Sequence, residues 1–94
     1  MVKSIKELSS TFDILSNEVR LCILINLYKN KEKNVSDLQA CAKSSQSSVS
    51  QQLSKMKALG IITSRKVGNE VYYSISNEKM KAIIKKLEIG ECNE

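Results

Sequence analysis

Residues 19–28, VRLCILINLY, place apolar side chains on nearly every side of a helix, and this stretch constrains the rest of the chain. A helix with one apolar stripe lies on a surface, whereas one that is apolar almost all round has to be covered by other elements. The 94 residues hold one core, so the cover must come from short amphipathic segments on both flanks of a single domain, 1–94. Ser4 and Glu7 have capping-box spacing, and Ile5, Leu8, Phe12 and Leu15 follow on one stripe, which predicts a first helix to about Ile14. Ser16 or Asn17 caps the central helix. The polar run KNKEKN ends it, and Asn34 or Ser36 caps a short third helix carrying Leu38 and Ala42.

Ser44 and Ser45 separate that helix from a fourth, expected over 46–59 with Val49, Leu53, Met56 and Leu59 inward and Gly60 as its stop. The stretch IITSRKVGNEVYYSIS then reads as two β-rich runs joined at Gly68-Asn69, a hairpin over about 61–75. A last helix is expected over about 77–89, with Met80, Ile83, Ile84 and Leu87 at helical spacing and Gly90 beyond it. The predicted class is mainly α with a β-hairpin, in the order α-α-α-α-β-β-α.

Composition narrows the function. The chain has no histidine, which removes the commonest general base and the commonest metal ligand together, so an enzyme is not expected. Fifteen Lys and Arg against ten Asp and Glu leave +5, favouring an acidic partner, with nucleic acid first. No apolar run approaches a membrane span and the N-terminus does not resemble a signal peptide, so the expected place is the cytoplasm. Three cysteines without tight spacing fit thiols of a reducing compartment better than a disulfide framework, and no cofactor or metal is expected.

A short helix, a polar turn and a longer helix with small hydrogen-bonding side chains in its first turns form the layout of a helix-turn-helix, with the hairpin as its wing. A helix entering the major groove needs donors and acceptors without bulk, and Ser47, Ser48, Ser50 and Gln51 provide them. Lys43, Lys55 and Lys57 flank that surface, and Arg65 and Lys66, just before the hairpin turn, are placed for phosphates or a minor groove. Two plainer readings stand beside this: a serine-rich stretch as a solvated linker, and basic residues that keep a hairpin edge soluble. The stripes Ile5, Leu8, Phe12 and Met80, Ile83, Ile84, Leu87 exceed what one central helix can cover, which predicts a homodimer through the first and last helices. The alternative is that both stripes close the monomer's own core.

These segments resemble the ArsR/SmtB family of winged-helix repressors over about Leu8 to Leu87. The resemblance rests on LSNEVRLCIL, on VSDLQACAKSSQSSVSQQLSKMKALGII and on VYYSIS. It implies a homodimer that binds an imperfect inverted repeat in operator DNA and is released by an inducer. It places Gln46, Ser47, Ser50 and Gln51 at recognition-helix positions and Arg65 and Lys66 where the wing meets DNA. The family's thiolate motif falls on Glu32, Lys33, Asn34, Val35, Ser36, Asp37 and Leu38, with both cysteine positions replaced, and its last-helix zinc site needs histidines absent from this chain. A sensor of a thiophilic metal is therefore the weaker reading. The arrangement looks more like the sulfide- or persulfide-responsive branch, in which a second-helix cysteine pairs with one in or after the last helix. That implies a redox switch between Cys22 and Cys92, with Cys22 one turn earlier than in that branch. Cys41 is expected to pack. A repressor without a ligand and a winged-helix module that binds protein are the remaining alternatives.

Overall fold

The structure, a computed structural model, describes residues 4–87. Five helices and three strands follow one another as α1 (Ile5–Leu15), α2 (Glu18–Asn30), β1 (Lys33–Asn34), α3 (Val35–Ala42), α4 (Gln46–Ala58), β2 (Ile62–Val67), β3 (Glu70–Ile75) and α5 (Glu78–Leu87). The helix starts are set by side-chain caps. Ser4 accepts from the Glu7 N–H, Asn17 from that of Arg20, Asn34 from that of Asp37 and Ser45 from that of Ser48. Asn77 does the same for Met80 at the start of α5.

α2 is the centre of the molecule. Cys22, Ile23, Leu24, Ile25 and Leu27 are all buried, and Val19 and Leu21 pack at the margin. Leu38 of α3, Val49, Leu53 and Met56 of α4, Ile61, Ile62 and Ile75 of the sheet region, and Met80 and Ile84 of α5 close around it. Each such side chain contributes on the order of 1.5–3 kcal/mol through its burial.

Two local outcomes differ from expectation. Leu59, expected inward, is 56% exposed, because α4 has already ended and Leu59 occupies its C-cap. The Ile61 N–H bonds to the Met56 carbonyl and the Gly60 N–H to that of Lys57, with Gly60 at φ +75°, a Schellman ending that turns the chain into β2. The second is β1. The polar run after α2 is read in the sequence only as the end of that helix, yet Lys33 and Asn34 pair with Tyr73 and Tyr72, giving an antiparallel sheet of order β1-β3-β2. At the hairpin tip Gly68 has φ +62°, which the tight turn requires.

Candidate nucleic-acid interface

α4 buries Val49, Leu53 and Met56 completely, and this inward stripe fixes what the helix shows to solvent. Gln46, Ser47, Gln51, Ser54 and Lys55 are exposed, while Ser50 is half-buried beside them. Ser48 is half-buried and its Oγ lies 3.5 Å from Ser44 Oγ, facing the turn that precedes the helix. The exposed face carries small hydroxyls and amides, the groups that pair with base edges and phosphates. No aromatic side chain lies on α4.

The helix is held from two sides. Arg20, a buried charged residue of α2 with 7% exposure, donates from Nη1 to Gln52 Oε1 at 2.7 Å. Its Nε and Nη2 donate to the carbonyls of Ile14 and Asp13 at 2.9 and 3.1 Å. One guanidinium thus ties the C-terminal carbonyls of α1 to the middle of α4. On the other side, Lys57 Nζ donates to Ser64 Oγ at 2.7 Å, linking α4 to strand β2.

Arg65 and Lys66 are both exposed on β2. Lys66 points to open solvent near the tip, but Arg65 forms a two-pronged ion pair with Glu32, Nε to Oε2 and Nη2 to Oε1. The register explains the pairing. Arg65 lies opposite Tyr72, and Tyr72 lies opposite Asn34, so the residue two before Asn34 comes to the same face. The Arg65 hydrogen bonds hold the Glu32 carboxyl below the ordinary glutamate range, and the same bonds raise Arg65. Glu32 is presented by a tight turn in which its N–H bonds to the Asn30 carbonyl at 2.7 Å and Lys31 adopts φ +66°.

Cys22 is 2% exposed and Cys41 half-buried. Their sulfurs lie 3.4 Å apart across the contact between α2 and α3, and Asn26 Nδ2 donates to Cys41 Sγ at 2.8 Å. Cys41, expected to pack, therefore faces the cysteine singled out for chemistry. Cys92 lies outside the described residues. Among the described residues no group of three or more His, Cys, Asp or Glu is assembled to hold a metal ion, and no helix is long and apolar enough to cross a membrane.

Residues 17–64 match the bacterial regulatory proteins of the arsR family. The chain belongs to the ArsR family. It is 37% identical over 84 residues to the transcriptional repressor PagR of Bacillus anthracis, covering 89% of this chain and 84% of PagR. The crystal structure of PagR superposes with a TM-score of 0.77 over 89% of this chain and 95% of that one. Reduced HlyU from Vibrio cholerae N16961 is 31% identical, with a TM-score of 0.78 over 92% of this chain and 94% of that one. The cadmium resistance regulatory protein CadC of Listeria innocua is 38% identical over 82 residues, covering 87% of this chain and 66% of CadC. The relatives are transcriptional regulators, and the ArsR chain described here is a regulator and not an enzyme.

Proposed function

We propose that the chain is a dimeric transcriptional repressor that binds an inverted-repeat operator in the cytoplasm through α4 and the wing, and that an inducer releases it. Gln46, Ser47, Ser50 and Gln51 read base edges in this proposal, Ser48 closes the turn before the helix and contacts the backbone, and Lys55, Arg65 and Lys66 take phosphates. The observation that carries the reading is the outer face of α4: small polar groups, exposed, on a helix braced by Arg20 and Lys57. An interface for protein would be expected to present aromatic or other large apolar anchors there.

The dimer is supported by the residues left uncovered. Ile5 is 88% exposed and Phe12 63%, with Leu8 and Leu87 also open, while Met80 and Ile84 close the chain's own core. The last-helix stripe is thus divided between the core and an outer surface, and the outer part of α1 and α5 is what a second copy would cover. The inducer we assign is a reactive sulfur species acting at Cys22, with Cys92 as the partner that the family resemblance implies for that chemistry. A relative, HlyU from Vibrio cholerae N16961, has been solved in a form described as reduced, which supports a redox-responsive reading.

The test is a pair of substitutions measured on specific and random duplexes. Ser50→Ala and Gln51→Ala should each weaken binding to the selected operator by about 1–3 kcal/mol and leave binding to random duplex almost unchanged. Equal losses on both duplexes would show that these side chains do not read bases. A protein-binding module predicts no duplex binding that weakens with salt.

A further inference from the structure

We infer that Cys22 and Cys41 form an oxidisable thiol pair that ties α2 to the helix-turn-helix, a modification site for hydroperoxides distinct from a pairing of Cys22 with Cys92. Three observations meet here. The two sulfurs lie 3.4 Å apart, so joining them needs a movement on the order of one ångström, a small shift of α3 against α2. Cys41 is half-buried, open enough for a small oxidant, whereas Cys22 is shielded at 2% exposure. Asn26 Nδ2 donates to Cys41 Sγ, a contact that supports negative charge on the sulfur that must attack.

The chemistry assigns the two sulfurs different roles. The Cys41 thiolate attacks one oxygen of a hydroperoxide; an S–O bond forms, the O–O bond breaks, and the leaving oxygen takes a proton to depart as water or an alcohol. The Cys22 thiol then loses its proton and attacks the Cys41 sulfenic acid; an S–S bond forms, the S–O bond breaks, and the hydroxide leaves as water. Two thiols are oxidised by two electrons in all, and the peroxide is reduced by the same two. In a reducing compartment such a bond is transient and regulatory rather than structural.

Its position gives it a consequence. Cys41 is the next-to-last residue of α3, and the three residues Lys43 to Ser45 connect that end to α4. Drawing Cys41 onto α2 moves the base of that connection while Arg20 and Lys57 hold α4 elsewhere, so the recognition helix tilts. Two half-sites on one duplex tolerate little change in the relation of two recognition helices. This consequence for DNA rests on the repressor reading above; the thiol chemistry does not.

The experiment treats the full-length chain with hydrogen peroxide, maps the linkage after trypsin, and titrates a duplex that the untreated protein has selected from a random-sequence pool. Cys22 falls in tryptic peptide 21–29, Cys41 in 34–43 and Cys92 in 87–94, so the three possible pairs are resolved by mass. The expected result is a link between 21–29 and 34–43, a loss of duplex affinity of at least about fivefold, and recovery with dithiothreitol. Cys41→Ser should bind DNA and ignore peroxide, while Cys92→Ser should respond as the parent does; Cys22→Ala, which fills the buried site with a small apolar group, should behave as Cys41→Ser. A link to 87–94, an unchanged response in Cys41→Ser, or full affinity in the linked protein would overturn the inference. If the untreated protein selects no duplex, the repressor reading fails, and the peptide map alone decides for or against the thiol pair.

Discussion

At the scale of single residues, the ion pair between Glu32 and Arg65 changes how the wing has to be understood. Arg65 was expected to be an uncommitted basic contact, yet its guanidinium is already matched by a carboxylate in a geometry that phosphate would have to displace. Replacing Glu32→Gln should therefore tighten duplex binding at low salt and steepen its salt dependence by about one counterion per protomer. Weaker binding by Glu32→Gln would mean that the pair holds the wing in place for DNA. The same pair has a defined pH dependence. Because the folded carboxyl titrates below its unfolded value, the interaction is complete above the unfolded glutamate range and is lost as pH falls through the lower folded value. Arg65 is exposed and Glu32 only half-buried, so the contribution to global stability is small, and the wing's own amide exchange is the proper readout.

At the scale of elements, the sequence told most where a cap or a periodic stripe was long enough to be read. Ser4 caps where its spacing placed it, Asn17 and Asn34 are each one of the two choices the pattern offered, and α4 runs over Gln46–Ala58 against an expected 46–59. What escaped was made by tertiary pairing. A strand of two residues, β1, has no periodicity to detect, and it is β1 that sets Glu32 on the face of Arg65. Arg20 was hidden for a similar reason, since one charge in a run of apolar residues does not announce that it will be buried. Its partners are carbonyls in the last turn of α1, the Ile14 carbonyl and that of Asp13, which Ser16 also caps. The contact between Cys22 and Cys41 likewise depends on how α3 crosses α2, which spacing along the chain does not encode. Arg20→Met should lower unfolding free energy by about 2–4 kcal/mol, because it takes the Arg20 donor from the Ile14 carbonyl and removes the bonds to Asp13 and Gln52. A denaturant midpoint shift equivalent to less than about 1 kcal/mol would show that water or neighbours satisfy those groups equally well.

At the scale of the whole molecule, the division between what the chain buries alone and what it leaves uncovered is the argument for assembly. Phe12 is 63% exposed on α1, so Phe12→Glu should leave the fold intact and convert a dimer to a monomer, read as a halved mass in sedimentation equilibrium. An unchanged mass would place the interface elsewhere. A dimer also multiplies the electrostatic contribution: with Arg65 already matched by Glu32, Lys55 and Lys66 from two protomers amount to about four phosphate contacts, enough to weaken binding on the order of a hundredfold between about 50 and 200 mM salt. The most direct measurement is selection of duplexes from a random pool by the full-length chain, followed by titration of the selected duplex across that salt range. The account predicts enrichment of an inverted repeat whose half-sites present the major groove on one face of the duplex, bound with that steep salt dependence and with loss of preference in Ser50→Ala and Gln51→Ala. No enriched repeat, or affinity indifferent to salt, would contradict it.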